Sequence, residues 1–283
     1  MAGKHISYSE WKNWYICPQY HKLTYIDKIN AFDGNIYTAF GKALHEVCEV
    51  TMVLDEFPEQ EVLDNHFKLA FVRELKALPR TEQRRAVNDF KLSQWKQQGL
   101  EIAAEMFGAM EERFGKFGKD WVVLAAEEQL MVPIQEFELE EKYFKGFIDL
   151  VVMENDGKIH LIDWKTSSWG WDALKKSNKV LAYQLVMYKK FWEQKHRGEE
   201  QCPTDLGKIE AHFVLFKRTA KVGQKIEFVR VPIGVKRMKN ATDELIKALT
   251  NIVKENYIKK RTVCVNCSDR FGQCEFYKTE HCK

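Results

Sequence analysis

The stretch Gly146-Phe147-Ile148-Asp149-Leu150-Val151-Val152, followed after Asn155-Asp156-Gly157 by His160-Leu161-Ile162-Asp163-Trp164-Lys165-Thr166, decides the fold. Both runs have strand composition. The residues between them suit a hairpin loop, with Gly157 fit for its left-handed position. Closing that loop sets Asp149 about opposite Asp163. Side chains alternate along a strand, so Asp163 and Lys165 share one face while Trp164 points to the other. Opposed positions carry Cβ atoms about 4.5–5.5 Å apart, and two carboxylates that close repel unless a cation lies between them. Hard oxygen ligands favour Mg²⁺ or Mn²⁺. A lysine beside such an ion orients a water or balances charge at a phosphate. The pattern is that of a metal-dependent phosphodiesterase centre.

A solvated sheet face also displays Asp and Lys in weak surface pairs. The neighbours separate the two readings. Ile148, Leu150, Val151, Val152, Leu161 and Ile162 imply strands buried on both faces. Charges within such strands cost several kcal/mol unless paired or bound to metal.

Gly146-x-x-Asp149 followed by Asp163-x-Lys165 on the next strand resembles the PD-(D/E)XK nuclease superfamily. Within it, the chain is similar to the RecB-like branch that includes Cas4-like and AddB-type iron–sulfur exonucleases, in a stand-alone phage or prokaryotic form. Gly41-Lys42-Ala43-Leu44-His45 resembles that branch's G-x-x-x-H helix, and Gln184-Leu185-Val186-Met187-Tyr188 its Q-x-x-x-Y helix. The motifs run from Cys17 to Cys274, nearly the whole chain. The resemblance implies that Asp149, Asp163, His45 and the backbone carbonyl of Trp164 hold Mg²⁺ or Mn²⁺, and that Lys165 serves catalysis. It also implies that Gln184 and Tyr188 touch DNA and support the lysine.

These residues have local readings of their own. Gly41 and His45 share a helix face at four-residue spacing. A glycine inside a helix costs about 1 kcal/mol against alanine, which a close approach by another group would justify. Gln184 and Tyr188 share a face by the same spacing. Glu127 and Glu128 precede the hairpin on a further strand; either carboxylate is a candidate for the site, and parity does not choose between them.

Seven cysteines in a chain beginning without a signal-like apolar stretch argue against a disulfide framework. Cys264-x2-Cys267-x6-Cys274 is a soft-ligand cluster that leaves one place in a tetrahedral S₄ arrangement. Cys282 would complete a self-contained zinc knuckle. Cys17, in Cys17-Pro18-x-Tyr20, matches the N-terminal cysteine of the iron–sulfur branch. The resemblance implies a [4Fe–4S] cluster on Cys17, Cys264, Cys267 and Cys274, which Cys₄ ligation suits, with Cys282 as the alternative ligand and Zn²⁺ as the alternative metal. Such a clasp would tie the chain ends together. Cys48 and Cys202 are read as structural.

Ser7 and Glu10 fit a capping box opening a helix that runs to about Cys17. Further helices are expected from Thr38 to about Met52, and from about Gln60 to Gly115 with breaks near Pro79 and Gly99. Strands are expected over Trp121–Ile134, Ile209–Lys217 and Lys225–Pro232, and helices over Asp172–His196 and Val235–Lys254. The order describes an α/β, restriction-endonuclease-like core with a mixed central sheet flanked by helices. It predicts one nuclease domain over residues 1–283: a mainly helical part (1–118) carrying His45, a sheet core (119–233), and a C-terminal helix with the cysteine clasp (234–283).

A net charge of +3 does not by itself indicate nucleic acid, so a basic surface must be local. Trp169, Trp171 and Lys175 follow the D-x-K strand, and aromatics there suit stacking of unpaired bases. No run approaches the roughly 20 apolar residues of a membrane span, and a cytoplasmic location is the expectation. The activity implied is metal-dependent exonucleolytic hydrolysis at single-stranded or duplex DNA ends, in recombination, repair, phage DNA metabolism or CRISPR adaptation. The alternatives are a non-catalytic end-binding subunit and a structure-specific endonuclease on the same fold. No phosphate-loop motif is present, so unwinding would come from a helicase or another partner of a recombination or CRISPR-adaptation complex. Oligomers are compatible with the resemblance.

Overall fold

Residues 3–29, 33–54, 57–259 and 274–282 are described by the structure, a computed structural model. The chain divides into two compact units, one of Gly34–Gln129 and Phe147–Ile233, the other of Met1–Asp33, Leu130–Gly146 and Gly234–Lys283.

In the first unit, helix α3 (Ile36–Met52) begins at a full capping box. The Asn35 side chain accepts from the Tyr37 and Thr38 N–H groups, and the Thr38 hydroxyl accepts from the Asn35 N–H. Helices α4 (Gln60–Ala77), α5 (Arg80–Asp89) and α6 (Leu92–Phe114) follow. Phe40 lies edge-on to Phe67, Phe71 and Trp95 at 5.4–5.8 Å between ring centres. Such pairs contribute about 0.5–1.5 kcal/mol each beyond the area they bury. The expected break at Pro79 is present. The expected break at Gly99 is not: Gly99 lies inside α6, where an added methyl would overlap the Phe67 ring. The glycine marks a close helix crossing rather than a helix end.

The strands are β2 (Trp121–Pro133), β3 (Tyr143–Glu154), β4 (Ile159–Ser167), β5 (Ile209–Lys217) and β6 (Ile226–Arg230). Strands β3 and β4 pair antiparallel from Leu150↔Ile162 to Met153↔Ile159, β4 and β5 parallel, β5 and β6 antiparallel, and β2 also pairs with β3. The sheet is therefore mixed. Gly157 takes φ +76° in the predicted hairpin loop, and the Glu154 N–H donates to the Lys158 carbonyl across its base. Leu150, Val152, Ile162, Trp164, Val214 and Phe216 join the core formed with α3, α4 and α6. The helix expected over Asp172–His196 is two, α7 (Ala173–Lys176) and α8 (Lys179–His196). Asp172 and Asn178 accept N–H groups at their N-termini, and the second cap restarts the chain.

In the second unit, β1 (His5–Ser7), which the sequence reading did not foresee, pairs parallel with Tyr143–Lys145 at the start of β3. Ser7 caps α1 (Tyr8–Ile16) by accepting the Glu10 N–H at 3.1 Å. The Glu10 carboxylate turns instead to buried His21. Helix α2 (Pro18–His21) runs into a π-helical turn, Lys22–Ile26. Helix α9 (Val235–Val253) buries Ala241, Leu245, Ala248, Leu249 and Ile252 at helical spacing. Among the described residues no helix is long and apolar enough to cross a membrane.

Candidate active site

Every residue of the predicted metal centre lies in the first unit. The β3–β4 ladder ends at Leu150↔Ile162. One step beyond, the Asp149 carboxylate stands in for a backbone partner, its Oδ2 accepting the Trp164 N–H at 2.6 Å. That bond fixes the carboxylate opposite Asp163, as the register predicts. The Trp164 ring points the other way and stacks on Phe216.

Asp163 is buried within β4 and only 2% exposed. Its Oδ1 accepts from Gln184 Nε2 at 2.6 Å, and its Oδ2 pairs with the Lys165 ammonium. Burial pushes its pKa up to about 6, with the charge of Asp149 adding and that of Lys165 opposing. Gln184 also donates to the Tyr188 hydroxyl at 3.1 Å, so α8 delivers a relay from Tyr188 through Gln184 to Asp163. The four-residue spacing read from the sequence is the spacing that lets both side chains reach one point.

His45 approaches from α3, its Nδ1 3.5 Å from Asp149 Oδ1. Gly41, one turn earlier, faces β4, where a Cβ would lie 3.3 Å from Thr166 Oγ1. The absent side chain lets α3 close on the strand. Burial disfavours a charged His45 ring, but the bond and charge of Asp149, aided by Asp163, raise its pKa overall.

One residue at this centre went unrecognised in the sequence. Glu49 lies one turn beyond His45, and donor atoms of His45, Glu49 and Asp149 lie within 4.8 Å of one another. Burial, then the charges of Glu127 and Asp149, push its pKa up to about 7 against the opposing influence of His45. The signal was the continued four-residue spacing Gly41, His45, Glu49 on one helix face. The alternatives at Glu127 and Glu128 also separate. Glu128 is engaged by Lys195 and His196. Glu127, in left-handed backbone at φ 47° within β2, is the neighbour whose charge acts on Glu49. A side chain re-aimed by an irregular strand residue defeats a parity argument.

The residues present fit a divalent cation: carboxylates and an imidazole converge, and burial raises the pKa of Asp163 and Glu49. Deprotonated carboxylates are the form that binds metal.

Of the expected base platforms, Trp169 is 79% exposed. Trp171 is a correction: it is buried edge-on against Phe213 at 5.1 Å, with the Lys175 ammonium 5.0 Å from its ring centre. Its ring belongs to the packing beneath the loop and is closed to a base.

Of the expected cluster ligands, Cys264 and Cys267 lie outside the described residues. In the second unit, Cys17 is buried and caps α2, and Cys274 and Cys282 are half-buried. The Tyr20 hydroxyl donates to Glu275 Oε1 at 2.9 Å and its ring packs edge-on to Phe276 at 5.6 Å. The Cys17-Pro18-x-Tyr20 segment thus meets the chain beside Cys274. Cys48 is fully buried in the α3 core and Cys202 is half-buried.

No curated protein matches the chain. Among solved structures, similarity is found to a candidate exonuclease from Eubacterium rectale, at 12% identity over 89% of this chain and 80% of that one, with a TM-score of 0.49. It is also found to the protein SSO0001, at 13% identity over 78% of this chain and 86% of that one, with a TM-score of 0.34. The profile of the PD-(D/E)XK nuclease superfamily matches residues 5–277. With that match spanning nearly its whole length, the chain belongs to the PD-(D/E)XK nuclease superfamily.

Proposed function

We propose that the protein is a Mg²⁺- or Mn²⁺-dependent deoxyribonuclease that hydrolyses phosphodiester bonds from DNA ends. The observation that carries this reading is the convergence of His45, Glu49, Asp149, Asp163 and Lys165 where the β3–β4 ladder ends. Asp149 and Asp163 would hold the ion, helped by His45, the Trp164 carbonyl and Glu49. The chemistry such an ion would supply is to lower the pKa of the attacking water and offset charge on the phosphate.

The chain's own residues do the rest. Lys165, now paired with Asp163, turns to the phosphate or the attacking water and balances the negative charge of the transition state. Gln184, braced by Tyr188, holds Asp163 in one orientation. Trp169 offers an exposed face for an unpaired base near the end being digested. The RecB-like, iron–sulfur reading rests on the Tyr20 contacts with Glu275 and Phe276. Cys17, Cys264, Cys267 and Cys274 would hold the [4Fe–4S] cluster and join the chain ends. Such an enzyme serves recombination, repair, phage DNA metabolism or CRISPR adaptation.

The test is digestion of end-labelled linear DNA beside a covalently closed circle, with Mg²⁺, Mn²⁺ or EDTA. Metal-dependent loss of the linear DNA alone is the expected result. Cleavage of the circle would make the enzyme an endonuclease, and DNA binding without cleavage of either would make it an end-binding subunit.

A further inference from the structure

The sheet face opposite Asp163 and Lys165 carries a second cluster. His160 on β4 and Glu210 on β5 are register partners in the parallel pair, and His212 follows two residues on, beside Ile162. Alternation puts His160 and His212 on the face of Ile162 and Trp164, away from Asp163. Both imidazoles are buried at 1% exposure, and the Phe114 ring packs over His160 at 4.7 Å.

The donor geometry is specific. His160 Nδ1 lies 3.1 Å from His212 Nε2, and Glu210 Oε2 lies 3.5 Å from the same His212 nitrogen. Two ring nitrogens bound to one tetrahedral zinc ion at its usual bond length stand about 3.3–3.5 Å apart. The other nitrogen of His160, Nε2, is bonded to the Glu154 carboxylate. That bond places its proton on Nε2 and leaves Nδ1 as the acceptor of the His212 Nε2–H, a proton whose place a cation would take; this is the carboxylate–histidine arrangement by which metal-binding imidazoles are oriented. Glu210 divides its oxygens, Oε1 to Arg230 at 2.9 Å and Oε2 toward the histidines. The charges of Arg113 and Arg230 oppose a cation here, and Glu154 and Glu210 offset them. Burial and neighbouring positive charge hold both rings neutral, the form that ligates metal.

We propose that His160 Nδ1, His212 Nε2 and Glu210 Oε2 form a second metal site, for a borderline divalent ion such as Zn²⁺, oriented by Glu154 and completed by water. Imidazole with carboxylate selects such an ion over Mg²⁺. An ion there ties β4 to β5 on the face behind the nuclease centre, and Glu154 extends the tie to the end of β3. It is a structural site, independent of the catalytic proposal.

The test is titration of metal-free protein with Zn²⁺ by calorimetry and with Co²⁺ by absorption, comparing wild type with Glu210→Gln, His160→Gln and Glu154→Gln. The wild type should bind one equivalent more than Glu210→Gln or His160→Gln. Glu154→Gln should weaken that equivalent about 10–100-fold. The Co²⁺ difference spectrum between wild type and Glu210→Gln should show visible d–d bands without the near-ultraviolet charge transfer of thiolate ligands, which separates this site from the cysteines. Zn²⁺ should raise Tm in wild type more than in Glu210→Gln. Glu210→Gln keeps an oxygen for Arg230 and so reports even if His160→Gln fails to fold. Equal zinc stoichiometry and affinity in wild type and Glu210→Gln would overturn the proposal, as would a difference spectrum dominated by thiolate charge transfer.

Discussion

Asp163 is the residue on which the site turns. A carboxylate 2% exposed inside a strand is tolerated because Gln184 and Lys165 occupy its two oxygens. Replacing Gln184 with Ala removes one support without removing a ligand. It should therefore lower metal affinity and kcat together while leaving DNA affinity near wild type, as paired metal and DNA titrations would show. Glu49→Gln should weaken Mn²⁺ binding measured by calorimetry; an unchanged isotherm would remove Glu49 from the ligand set. Trp169 and Trp171 separate at this scale too. Trp169→Ala should lower affinity for single-stranded DNA by about 1–3 kcal/mol. Trp171→Ala should act chiefly on stability, because that ring is packed against Phe213.

At the scale of elements, helices close on the sheet and on each other through glycines. Gly99→Ala should cost about 1–3 kcal/mol in denaturant unfolding, because the new methyl would drive the Phe67 ring from its place between α4 and α6. Gly41→Val should act differently. It pushes α3 from Thr166 and carries His45 from Asp149, so activity should fall further than stability. The hairpin register was legible because apolar alternation and a short loop over-determine it, and Asp149 and Asp163 fall where that register puts them. Gly99 misled because a helical glycine signals close approach as readily as an end. The division at Asn178 was present as a capping residue but sat within an otherwise helical pattern. Glu127 could not be assigned because its left-handed backbone breaks the alternation on which strand parity rests. The short β1 was invisible because its pairing with Tyr143–Lys145 joins residues far apart in sequence.

At the scale of the molecule, each compact unit carries one part of the reading: the first unit the candidate metal centre, the second the meeting of Tyr20 with Glu275 and Phe276. On the proposed iron–sulfur reading, Cys17→Ser should lower the iron content of anaerobically purified protein and its Tm. Unchanged iron in that variant would shift the fourth ligand to Cys282. The measurement that bears most directly on the central claim is single-turnover cleavage of end-labelled linear DNA in Mg²⁺ by wild type and by Lys165→Ala and Asp163→Ala, with DNA affinity recorded alongside. Loss of one charge-stabilising group typically costs about 10²–10³-fold in rate. Lys165→Ala should show at least that loss and Asp163→Ala no cleavage, both with DNA affinity close to wild type. Cleavage at the wild-type rate in either variant would contradict the assignment of this cluster as the hydrolytic centre.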